Sequence, residues 1–195
     1  MGGLFITGTD TGVGKTVVTS QLGRVLQHLG YDVGVIKPVQ TGIESDFGDY
    51  AVYKKWMKVD GEEYVVPYKF KAPQAPSIAA SLERREIRFD DLLSTLYILM
   101  KRHRNMLIEG AGGVLVPISK KKSMRDLMVE IGFPVLVVAR AELGTINHTL
   151  LTVESLKSVG LKVTGVVFNQ VGNPDNAVLK MVQAEIAKLS GVKHF

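Results

Sequence analysis

Nine residues near the start, Gly8-Thr9-Asp10-Thr11-Gly12-Val13-Gly14-Lys15-Thr16, gather glycines, one lysine and hydroxyls between an apolar run and a helical stripe. Glycines let backbone N–H groups turn inward and cradle phosphate oxygens. The helix start adds its unpaired N–H donors and the positive end of its dipole. Lys15 then reaches the terminal phosphates, and the Thr16 hydroxyl holds Mg2+. The usual spacing puts a glycine at position 9, where Thr9 stands; Gly8 comes one residue early, so the loop is a variant longer by one residue. A glycine-rich turn with a chance Lys-Thr is the plain alternative, and the strand–turn–helix placement favours nucleotide binding over it.

Two further groups complement a phosphate site. Mg2+ takes octahedral oxygen ligands, usually one or two carboxylates with phosphates and water. Glu109 ends an apolar run and precedes Gly110-Ala111-Gly112-Gly113. A carboxylate buried there needs a cation, and the glycines allow close ligand approach; the bland alternative is a glutamate facing solvent. A second acid is expected near Thr16. Asp46 and Asp49 both precede an apparent helix with Ala51, Val52 and Trp56, and either could instead cap it. Lys37 closes another apolar run, ahead of Pro38-Val39-Gln40-Thr41-Gly42. Beside phosphates it would offset charge on a transferring phosphoryl group; otherwise it is a surface lysine before a turn.

The elements that must position these residues alternate strand with helix. Residues 4–8 form a short apolar run. Residues 15–29 then place Val18, Leu22, Val25, Leu26 and Leu29 at helical spacing, and Gly30 ends the helix. Strands are expected over 32–36, 106–109, 134–138 and 163–168. Helices finish near Arg104, Gly132 and Gly160, and a last one runs from Pro174 to about Leu189. The strands are continuous apolar runs, as in a parallel sheet covered on both faces. The expectation is one α/β domain over 1–195: a doubly wound, mostly parallel sheet with helices on both faces. Residues 61–76, with Pro67, Pro73 and Pro76, read as a functional loop. Ligands of such sheets sit beyond the carboxyl ends of the strands, and the loop 9–16, residues 37–42, residues 109–113 and Asn169 all follow strands.

The 195 residues suffice for one well-buried domain. Without cysteine there is no disulfide, thiolate metal site or cysteine nucleophile. The start of the chain lacks signal-peptide character, and no apolar run reaches membrane-spanning length, so a cytoplasmic protein without a membrane partner is expected. The net charge is +5. Basic clusters at Lys101-Arg102-His103-Arg104 and Lys120-Lys121-Lys122 have no interleaved aromatics and read as solvated loops, not a nucleic-acid surface. His28, His103, His148 and His194 are assigned no role.

Four segments together carry a family resemblance: Gly8 to Thr16; Lys37-Pro38-Val39 with Thr41-Gly42; Glu109-Gly110-Ala111-Gly112-Gly113; and Leu143-Gly144-Thr145-Ile146-Asn147-His148. In order and spacing the chain resembles the dethiobiotin synthetases, to about Asn169. The resemblance implies an ATP-dependent ligase that closes a cyclic urea from 7,8-diaminopelargonate, CO2 and MgATP. It implies that Gly12, Val13, Gly14, Lys15, Thr16 and Val17 hold the triphosphate, with Glu109, Gly110, Ala111 and Gly112 completing the nucleotide site and Asn169 reading the base. It implies Mg2+ ligands at Thr16, Asp49 and Glu109, with Asp49 preferred to Asp46, and catalytic roles for Lys37 and Lys15. Thr11, Thr41 and Pro76, within a substrate-side segment 73–77, would meet the diamine. Gly144, Thr145, Ile146 and Asn147 would bind its carboxylate across the interface of a homodimer.

Two departures stand out. Gly12 occupies a position where members often carry glutamate. Members commonly continue past the position of Phe195 with a strand and a base-covering loop, so looser base recognition is expected here. Two rivals fit less well. A partitioning-type ATPase would carry its signature lysine at Asp10. A cobyrinic acid diamide synthase would carry a glutaminase domain with a cysteine nucleophile.

Overall fold

A computed structural model describes residues 2–43, 48–169 and 176–195. Five strands, β1 (Gly2–Gly8), β2 (Val33–Ile36), β5 (Asn105–Glu109), β6 (Val135–Arg140) and β7 (Val163–Asn169), form one sheet in the order β2-β5-β1-β6-β7. Every neighbouring pair is parallel. All five carboxyl ends therefore lie along one edge. The register aligns Ile6 with Glu109, Gly8 with Val138 and Arg140 with Asn169.

The apolar runs split between two faces because successive side chains of a strand point to opposite sides. Phe5, Met106, Ile108 and Val137 join one core; Ile6, Leu107, Val35 and Val138 join the other. Helices α4 (Pro76–Leu82), α5 (Phe89–Arg102), α6 (Met124–Ile131) and α7 (Thr145–Lys157) cover the first face. Helices α1 (Lys15–His28) and α2 (Asp49–Trp56), with the short α3 (Glu62–Val65), cover the second. The fold is thus the expected α/β type with helices on both faces. Among the described residues no helix is long and apolar enough to cross a membrane.

Two features differ from the sequence expectation. The stripe on α1 is narrower: Val25 and Leu29 are more than half exposed, whereas Thr19, Ser20 and Gly23 are buried. A Cβ on Gly23 would come within 2.6 Å of the Met57 thioether, so close approach of α1 takes the place of bulk. The 61–76 stretch holds structure of its own, α3 and the strand β4 (Tyr68–Lys69), which pairs in parallel with β3 (Val39–Gln40). The last helix, α8, covers Asn176–Ser190, and its expected start at Pro174 lies outside the described residues. Beyond it, residues 193–195 run parallel to β7, with Val166 N donating to Lys193 O at 2.9 Å and Phe195 N to Val166 O at 2.9 Å.

Candidate active site

Between β1 and α1 the loop passes through two left-handed residues, Gly12 (φ +73°) and Gly14 (φ +94°), a region that penalises any Cβ. Gly14 is also the N-cap of α1. A Cβ on Gly14 would also stand 2.0 Å from Asn169 Nδ2, so that side chain would have to move. The Lys15 ammonium donates to the Asp10 carbonyl at 2.8 Å, and Arg140, at the end of β6, pairs with the Asp10 carboxylate. Burial, opposed mainly by the Glu109 charge, brings the Lys15 pKa down to about 8.

Opposite the loop is a buried charge cluster. Glu109, the last residue of β5, is wholly inaccessible to solvent. Its Oε1 accepts from Thr16 Oγ1 and from Lys37 Nζ, each at 2.8 Å, and its Oε2 accepts from the Tyr53 hydroxyl at 2.5 Å. Lys37 also pairs with Asp49. Lys37 is therefore not a surface lysine, nor Glu109 a solvent-facing one. Burial would lower the Lys37 pKa, but the Glu109 and Asp49 charges outweigh it and the net shift is upward. Burial first, and Glu109 second, push the Tyr53 phenol well above its ordinary range, so it stays a donor.

Asp49 opens α2, whose N-cap is Gly48, and its carboxylate pairs with Lys37. Its backbone N–H donates to Gln40 Oε1 at 3.1 Å, which ties α2 to β3. The rival acid, Asp46, lies outside the described residues.

These groups line one cavity of about 670 Å³, within the range of small-molecule sites. Thr11, Gly12, Gly14, Lys15 and Thr16 of the loop line it, together with Lys37, Asp49, Glu109, Ala111, Gly112, Thr41 and Pro76. Pro73, Gln74 and Ala75 join Pro76 there. Val13 and Asn169 face a separate cleft of about 60 Å³ beside the loop, shared with Arg140 and Glu142. Asn169 Nδ2 donates to the Val13 carbonyl at 3.0 Å. Val17 is half exposed on the first turn of α1, and Gly110 is buried against Phe5 and Met124; neither lines the cavity.

Gly144, Thr145, Ile146 and Asn147 stand outside the cavity too. Gly144 is the left-handed N-cap of α7 (φ +92°), Thr145 is buried, and Leu143 beside them is fully exposed.

The profile of a family described as "AAA domain" matches residues 2–195. The ATP-dependent dethiobiotin synthetase BioD of Anaeromyxobacter sp. (strain Fw109-5) is 44% identical over 193 residues, covering 98% of this chain and 86% of the relative. The enzyme of that name from Bacillus subtilis subsp. natto is 36% identical over 195 residues, covering 98% and 84%. That of Lysinibacillus sphaericus (strain C3-41) is 42% identical over 173 residues, covering 85% and 74%.

The chain belongs to the dethiobiotin synthetase family.

For a dethiobiotin synthetase the donor set can be tested against Mg2+. Two carboxylates and one hydroxyl converge, all hard oxygens, and the Lys37 ammonium already bridges both carboxylates. Two carboxylates and a hydroxyl suit an ion which takes waters and phosphate oxygens for its remaining positions. Sequence reasoning missed Tyr53 and Gln40 here. Tyr53 stands four residues after Asp49, hence on the same face of α2, and that spacing was the available signal. The unassigned His103 also proves to be engaged, far from this cavity. It lies between Asp32 and Asp60, its two ring nitrogens 2.7 Å from one carboxylate each.

Proposed function

We infer that this chain is an ATP-dependent dethiobiotin synthetase, a ligase that joins 7,8-diaminopelargonate and CO2 into a cyclic urea. One amine bonds to the carbon of CO2 and loses a proton, giving a carbamate. A carbamate oxygen then takes the γ-phosphoryl group of ATP as the bond to the ADP oxygen breaks. The second amine attacks the carbonyl carbon and loses its proton, inorganic phosphate leaves, and the ring closes. No protein nucleophile is needed, which suits a chain without cysteine.

The observation that carries the reading, alongside family membership, is a single cavity lined both by the glycine-rich loop and by Thr41 and Pro76. That arrangement supports bringing a triphosphate and a second small molecule together, and proximity is most of what this chemistry requires. Thr11, Thr41 and Pro76 contact the diamine. The backbone amides of the loop, with Lys15, hold the phosphates, and Ala111 and Gly112 flank them. Asn169, from its neighbouring cleft, reads the base. Lys37 lies near enough to the loop to offset charge on the transferring phosphoryl group.

Thr16, Asp49 and Glu109 would hold Mg2+, which supplies positive charge to the phosphate oxygens when bound. Gly144 to Asn147 do not line the cavity of their own subunit, and this supports a homodimer in which they reach the partner's diamine carboxylate. The setting is the cytoplasm.

Phosphate release from MgATP and bicarbonate is expected only when the diamine is added, with a product of dethiobiotin mass. Lys37→Ala is expected to lower that turnover about 100- to 1,000-fold, the usual cost of losing one preorganised charge-stabilising group. Phosphate release indifferent to the diamine would overturn the reading and favour a switch-type ATPase.

A further inference from the structure

We propose that Tyr53 is a positioning residue for Glu109: its hydroxyl fixes one carboxylate oxygen so that the other is presented to Thr16 and the phosphate side of the cavity. The proposal rests on the reading of Glu109 as a metal ligand.

Glu109 has three side-chain torsions and no exposed surface, and its hydrogen bonds fix how the carboxylate is turned within that packing. The two oxygens are used differently. Oε1 meets Thr16 and Lys37, which belong to the cavity, and Oε2 meets Tyr53 at 2.5 Å, its one hydrogen-bond partner among the described residues. The Tyr53 ring is fully buried in the apolar cluster of Ile6, Val13, Val33, Met57 and Leu107. A buried ring with a single polar atom aimed at one carboxylate oxygen is a fixed pointer. Helix α2 adds a second link, because Asp49 and Tyr53 are one turn apart on the same face. The helix that supplies one carboxylate therefore also orients the other.

Partners of a metal-binding side chain set its orientation, and losing one typically weakens metal binding about 10- to 100-fold. The experiment measures Mn2+ affinity by electron paramagnetic resonance, using the full chain with a non-hydrolysable ATP analogue. Tyr53→Phe, which keeps the ring and deletes the hydroxyl, is expected to weaken Mn2+ binding about 10-fold. Tyr53→Leu, a second apolar side chain without a hydroxyl, is expected to do the same should the Phe variant fold poorly. Tyr50→Phe serves as control, since that hydroxyl donates to the Asp60 carbonyl outside the cavity, and is expected to bind Mn2+ like the parent.

A residue that only stabilised the fold would act whatever stood at position 109. In a Glu109→Gln background the Tyr53→Phe change is therefore expected to add little. Parent-like affinity in either Tyr53 variant, or an equal loss with and without Glu109, would overturn the proposal. Equal Mn2+ affinity in the parent and Glu109→Gln would instead remove the metal reading of Glu109, and Tyr53's role with it.

Discussion

Lys37, proposed to offset charge on the transferring phosphoryl group, also bears on stability. It is nearly inaccessible to solvent, and both its partners are carboxylates. Removing the cation from a buried pair leaves uncompensated charge, at a typical cost of about 3–5 kcal/mol. Lys37→Met should therefore lower the melting temperature, because Asp49 and Glu109 would face each other unneutralised. A divalent cation binding between them would restore the balance. Mg2+ is expected to raise the melting temperature of Lys37→Met more than that of the parent, and a thermal scan with Mg2+ or EDTA checks this. An equal Mg2+ response in both proteins would mean the two carboxylates are not its ligands. Lys37 and Glu109 were legible in the sequence because each follows an apolar run, the position where side chains of a parallel sheet meet ligands. Tyr53 was not. Its part depends on which face of α2 packs inward, and a tyrosine in an amphipathic helix reads as ordinary core.

At the scale of elements, the helices were legible where glycines or charged ends bounded them and illegible where packing was unusual. Gly23 on α1 shows the difference: hydrophobic spacing weights Val25 and Leu29, yet the helix packs against Met57 and Leu107 where it has no side chain. The end of α5 gives a pH-dependent case. His103, its C-cap, bridges Asp32, ahead of β2, to Asp60, ahead of α3. Burial would lower the His103 pKa, but the hydrogen bonds and charges of Asp32 and Asp60 raise it above its ordinary 6.5. The protonated form thus favours the folded chain. Its contribution is complete below about pH 6.5 and fades as pH rises through the higher folded value. Asp32 runs the other way. The His103 hydrogen bond, then the Arg104 N–H, hold its pKa below 3.8, so its contribution is lost only as pH falls through that lower value. The difference in melting temperature between parent and His103→Gln is therefore expected to be largest near pH 5–6 and to shrink towards pH 9. Added salt should reduce it, since Asp32 is half exposed.

For the whole molecule, the arrangement of the α7 N-terminus decides whether one chain makes a complete site. Four glycine- and amide-bearing positions, Gly144 to Asn147, carry the family resemblance yet stand apart from the cavity, and Leu143 next to them is entirely exposed. Leu151, two turns along α7, is more than half exposed as well. An apolar residue in full contact with water beside a helix start is explained if a second copy covers it and receives the diamine carboxylate there. A particle of twice the 21.3 kDa chain mass is then expected in light scattering. Mixing gives the sharper test, because a two-fold dimer exchanges the same pair of surfaces in both directions. Lys37→Ala disables the cavity of its own copy. Asn147→Asp places a negative charge where the partner's substrate carboxylate would lie. In the mixed dimer one site combines both lesions and the other has neither. Refolding equal amounts of the two inactive variants together should make half the dimers mixed and recover about a quarter of parental turnover. Recovery absent at every mixing ratio, in protein shown to exchange subunits, would mean each chain completes its own site, and Gly144 to Asn147 would lose their assigned role in binding.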